Sequence, residues 1–153
     1  MVKLIASAGL GLATIFASGS LSPKWKADLV PEKGSTVSGN ATVEAHGADS
    51  TALTISIKGG EINKSYAWHV HQGSCAAGGP VIGLESSYPE LQTSASGTAE
   101  ASVTLGMAPP ASGVNSVHVH PMVPTFKSGD TGKKFTEGSV ACGDLKPAGD
   151  QPE

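Results

Sequence analysis

At 153 residues, less any leader, the chain has room for one domain built on a single hydrophobic core and none for a second. Its ten basic residues are all lysine and are outnumbered by thirteen acidic ones, giving a net charge of −3. This excludes nucleic acid as a partner class, because phosphate and base-edge recognition lean on arginine and a net basic surface. Twenty glycines and ten prolines, scattered among Ser, Thr, Val and Ala, favour short strands joined by turns, so the expected class is all-β.

Residues 1–20 read as a signal peptide. Lys3 supplies the positive start, residues 4–16 an apolar run, and Ala17-Ser18-Gly19-Ser20 the small residues of a cleavage site, with cutting expected near Gly19 or Ser20. The apolar run falls short of the roughly 20 residues a spanning helix needs. The mature protein is therefore expected in the periplasm or outside the cell, with no membrane attachment after cleavage. Two cysteines in an exported chain, Cys75 and Cys142, suggest one disulfide, since that compartment is oxidising.

The domain, expected over residues 21–146, then reads as strands. Residues 25–30 form a first strand ended by Pro31. Residues 37–45 place Val37, Gly39, Ala41 and Val43 on one face, and residues 51–58 place Leu53, Ile55 and Ile57 inward. His46 falls in the turn between them and reads as a solvated turn residue. Residues 98–105 alternate with Ala99, Ala101, Val103 and Leu105 inward, and residues 115–120 form a strand stopped by Pro121. A lysine-bearing loop (Lys127, Lys133, Lys134) leads to a last strand around Cys142, and residues 147–153 are expected to form a disordered tail. The long irregular stretch at 73–97 calls for a tether or a job.

The informative strand is 65–72. Side chains alternate along a strand, so His69 and His71 share one face while Trp68 and Val70 share the other and enter the core. Imidazoles about 7 Å apart along a strand can converge on one ion at the roughly 2 Å of a His–metal bond. The pair His118 and His120 repeats the device, so a metal site is expected on the outer face of the sheet, away from the core.

Together, Trp68-His69-Val70-His71, a cysteine four residues later, Gly78-Gly79-Pro80, Val119-His120 and Ala141-Cys142-Gly143 resemble the copper/zinc superoxide dismutase family, in particular its divergent secreted members. The resemblance spans residues 25–145. It implies a Greek-key β-barrel or flattened sandwich of about seven or eight antiparallel strands. It further implies copper held by His69, His71 and His120, and a Cys75–Cys142 disulfide bridging the long loop to the last strand. The departures are as informative. The family's long loop supplies a copper–zinc bridging imidazole, two further histidines and an aspartate, yet residues 73–116 contain neither His nor Asp. The family's arginine three residues before the last-strand cysteine is Ser139 here.

One copper ion per chain and no zinc are therefore expected, with His118, on the same face as His120, as a fourth candidate ligand. No residue is assigned a catalytic role. Two functions follow: a copper-only superoxide dismutase acting on superoxide, or a non-enzymatic module that sequesters or delivers copper ion.

Overall fold

The computed structural model of the protein describes residues 22–108, 114–124, 133–135 and 138–148. The leader, Lys127 and residues 149–153 lie outside them. Strict alternation drives the strands: Ala27 and Leu29 are buried in β1 (Lys24–Pro31), Ala41, Val43 and Ala45 in β2 (Ser38–Ala45), and Leu53, Ile55 and Ile57 in β3 (Thr51–Lys58). There follow β4 (Ser65–Gln72), β5 (Leu91–Gln92), β6 (Ala99–Leu105), β7 (Asn115–Pro124), β8 (Lys133–Phe135), β9 (Ala141–Asp144) and β10 (Lys146–Pro147). A single 3-10 turn, Glu85–Ser87, interrupts the long connection between β4 and β5. Among the described residues no helix is long and apolar enough to cross a membrane.

The strands form an antiparallel, nearly closed eight-strand barrel in the order β5-β4-β7-β9-β1-β2-β3-β6. The short strand β5 lies against β6 across the open seam. From β4 the chain runs to β5 and β6 and returns as β7 beside β4, a Greek-key connection. Ala101 and Val103 on β6, expected inward, are only partly buried because β6 borders that seam. The core joins Trp68, Val70, Val117 and Val119 from one half of the barrel to Val43, Ile55 and Ile57 from the other. Complete burial of each such side chain contributes about 1.5–3 kcal/mol.

Two strand ends differ from expectation. β7 continues past Pro121 to Pro124. By Pro121 the strand has outrun β9, whose pairing stops at Val119, so that flank is an edge where a proline removes no ladder bond. The tail expected from residue 147 begins instead as structure: Pro147 pairs with Trp25, and the Ala148 N–H donates to the Lys24 carbonyl at 2.8 Å. The start of β1, left uncovered by β9, offers the edge on which this segment pairs.

Candidate metal centre

The pairing register dictates what the outer face of β4, β7 and β9 presents. His69 lies opposite His118, which lies opposite Cys142, and one step along the strands His71, Ser116 and Asp144 form a parallel row. His120 faces Ala67. Residues directly opposite in a sheet point to the same side, so all four histidines, Cys142 and Ser116 share one face while Trp68, Val70, Val117 and Val119 fill the other.

The histidines lie on the outer face of the sheet, away from the core, as expected, but that face is not open to solvent. His69, His118 and His120 are 3%, 7% and 4% exposed. The cause is the long connection after β4, which folds back along the strand that bears the histidines. The Ile82 N–H donates to the Val70 carbonyl at 2.8 Å and the Gln72 N–H to the Pro80 carbonyl at 3.0 Å, extending the sheet edge beyond β5. Cys75 and Cys142 form a disulfide with Cα atoms 5.9 Å apart, fastening the connection to β9. The Cys75 N–H also donates to Asp144 Oδ1 at 2.8 Å. Tyr88 closes the far side, its ring edge-on to both His69 and Trp68 at centroid distances of 5.2 Å, its hydroxyl donating to the Ile82 carbonyl at 2.7 Å.

Under this cover, one ring nitrogen from each of His69, His71 and His120 lies within 4.8 Å of the other two. Two nitrogens bound to one ion at roughly 2 Å sit at most about 4 Å apart, so small ring rotations suffice to converge. His71 is already oriented. Its Nδ1 donates to the Gly79 carbonyl at 2.8 Å, which fixes the tautomer and leaves the lone pair on Nε2, a buried atom with no hydrogen-bond partner. The approach requires glycine at position 79, since a Cβ there would stand 2.0 Å from the Gln72 carbonyl oxygen. Burial, followed by the neighbouring His120, His71 and His118, lowers the pKa of His69 to about 4, so it is held neutral and ready to ligate.

His118 is placed differently from its strand-mate. It falls outside the three-nitrogen group and instead joins Cys75 and Cys142, while its Nε2 lies 3.0 Å from Ser116 Oγ. Its ring is nevertheless 4.5 Å from that of His71, centroid to centroid. Burial and His71 lower its pKa, with Glu32 and Asp144 acting in the opposite direction. A pocket of about 680 Å³ opens this side of the centre, lined by His71, His118, His120, Ser139 and Lys33 among others. Among the described residues Lys33 is its only lining lysine and Glu32 its lining carboxylate.

His46 is exposed in its turn and takes no part. Sequence reasoning missed Gly79, Tyr88, Ser116 and Asp144 as supports of the centre. Ser116, two residues before His118, and Asp144, two residues after Cys142, were legible by strand spacing, and Gly79 stands in the Gly78-Gly79-Pro80 motif without its role being visible there; Tyr88 acts across the long connection and left no local signal.

Three imidazoles with one nitrogen pre-oriented make a group that could hold a metal ion. No protein-family model matches the chain, and no curated protein does.

Proposed function

We propose that the protein is an exported, superoxide-dismutase-like protein that holds one copper ion per chain on His69, His71 and His120 and dismutes superoxide at that copper-only site. The observation that carries this reading is the convergence of the three ring nitrogens within 4.8 Å, with His71 Nε2 buried and lacking a hydrogen-bond partner. Copper suits the donor set because it heads the affinity order for imidazole sites. When bound it supplies reversible one-electron exchange. The chain's part is to orient the imidazoles through Gly79, to keep His69 neutral, and to admit a small anion through the pocket beside His118 and His120. The disulfide is compatible with an oxidising compartment, in keeping with a periplasmic or extracellular location.

A second reading, copper sequestration or delivery without turnover, is favoured by one observation. Among the described residues Lys33 is the only lysine lining the pocket, and it stands next to Glu32 in the same lining, so these residues add no net positive field to draw an anion inward. Two measurements separate the readings. Metal analysis of purified protein is expected to give one copper per chain and none in a His69, His71 and His120 triple alanine variant. The copper-loaded protein is then expected to consume superoxide faster than an equal concentration of the variant with copper added; stoichiometric copper without that consumption establishes the second reading.

A further inference from the structure

The sulfurs of Cys75 and Cys142 and one ring nitrogen of His118 form a second convergent donor group, all within 4.8 Å of one another. In the disulfide neither sulfur is a competent ligand, because metals bind the thiolate. We propose that reduction of the Cys75–Cys142 disulfide opens a soft-metal site, two thiolates and the His118 imidazole, that takes Cu(I) beside the three-histidine centre.

The first support is that the position of Cys75 does not depend on the sulfur–sulfur bond alone. Its N–H is held by Asp144 Oδ1 at 2.8 Å, two residues from Cys142 on β9. The base of its loop is closed by the Gly73 N–H to the Val114 carbonyl at 2.8 Å and the Gln72 N–H to the Pro80 carbonyl at 3.0 Å. The two thiols therefore remain neighbours after reduction. The second support is access. Cys75 and His118 line the same pocket of about 680 Å³ as His71 and His120, so a small thiol and a metal ion reach both groups by one route. The third is orientation: Ser116 Oγ, 3.0 Å from His118 Nε2, holds the ring as an outer-sphere partner does in metal sites.

The chemistry distinguishes the two groups. Three imidazoles accept Cu(II), whereas two thiolates and an imidazole are softer and select Cu(I). The His71 and His118 rings are 4.5 Å apart, so the groups share a wall and an ion can change donor sets without leaving the pocket. The reduction balances with a low-molecular-weight monothiol as the co-reactant. Two such thiols give up two electrons and become a small disulfide, the protein's S–S bond breaks, and two protons pass to Cys75 and Cys142. Binding of Cu(I) then displaces those two protons.

The test is arranged so that the two sites fail separately. Full-length mature protein carrying His69→Gln and His120→Gln is reduced with a monothiol, freed of it under argon, and titrated with Cu(I) against a coloured Cu(I) chelator. The expected result is one Cu(I) per chain in the reduced form and none in the oxidised form. A further His118→Ala change is expected to weaken binding at least about tenfold, and Cys75→Ser with Cys142→Ser to abolish it. X-ray absorption of the reduced protein with all histidines intact is the second measurement, independent of whether the variant folds, and is expected to show copper–sulfur scattering that the oxidised protein lacks. Absence of that scattering, or equal Cu(I) affinity in the double serine variant, overturns the proposal. Neither result bears on whether His69, His71 and His120 hold Cu(II) in the oxidised protein.

Discussion

The two halves of the barrel are built from the same alternation and use their outer faces in opposite ways. On β1, β2, β3 and β6 the outward residues meet water: Ser56 bonds Glu100 across exposed strands, and Lys24 pairs with Glu44 at 3.4 Å with both side chains about two-fifths exposed. On β4, β7 and β9 most of the outward residues are as enclosed as core residues, with Ser116 fully buried and Cys142 1% exposed; His71 is half-buried and Asp144, at the end of β9, is exposed. Periodicity decides which way a side chain points. What it points into is decided by a segment distant in the chain, here the connection fastened through Cys75.

The largest effect should come from removing that fastening. Replacing Cys75 and Cys142 together by alanine opens a loop of 67 residues and is expected to lower stability by about 4 kcal/mol in denaturant titration on the chain-entropy account. A loss below 1 kcal/mol would mean that the remaining hydrogen bonds alone hold the cover in place. Next, His120→Ala is expected to reduce Cu(II) affinity by more than the about 100-fold that loss of an outer-shell partner brings, and His118→Ala by less than about tenfold. Equal losses, read by competition titration and Cu(II) spin resonance, would place His118 in the first coordination sphere.

A smaller effect is expected from Gly79→Ala, which forces the connection off the Gln72 carbonyl and takes the acceptor away from His71. Copper affinity should fall about 10- to 100-fold with the far half of the barrel unperturbed in amide hydrogen exchange; unchanged affinity would show that His71 needs no second-sphere support. The metal-free protein should also respond to pH. His69 is held near 4 in the fold against 6.5 when unfolded, so the folded state binds fewer protons between those values. Its contribution is complete above about pH 6.5 and is lost as pH falls towards 4, and His69→Gln should flatten that part of the stability profile. The smallest effect lies on the solvated half: Glu44→Gln should change stability by no more than about 1 kcal/mol, as exposed ion pairs do.

Most of the strands were legible because Leu53, Ile55 and Ile57, or Trp68 and Val70, announce their face by spacing alone. The donor set was legible for the same reason, His69 with His71 and His118 with His120 each sharing a face. The enclosure of those histidines was not. It arises from backbone hydrogen bonds by Pro80 and Ile82, from a ring contact by Tyr88 and from a close approach at Gly79, none of which has a periodic signature. The separation of His118 from His120 was equally hidden, since it depends on which neighbours the β7–β9 register supplies, Cys142 for one and none on β9 for the other.

Trp68 is 1% exposed, and its Nε1–H donates to the Pro89 carbonyl at 2.8 Å, across to the very segment that covers the histidines. The chain's other tryptophan, Trp25, lies on β1, two strands from β7 in the sheet order. The protein thus carries its own fluorophore beneath the lid. Lifting the segment breaks the indole's hydrogen bond and wets its edge, shifting emission to longer wavelength; a Trp25→Phe variant leaves Trp68 as the single tryptophan, so lid opening can be timed in stopped flow without any attached dye.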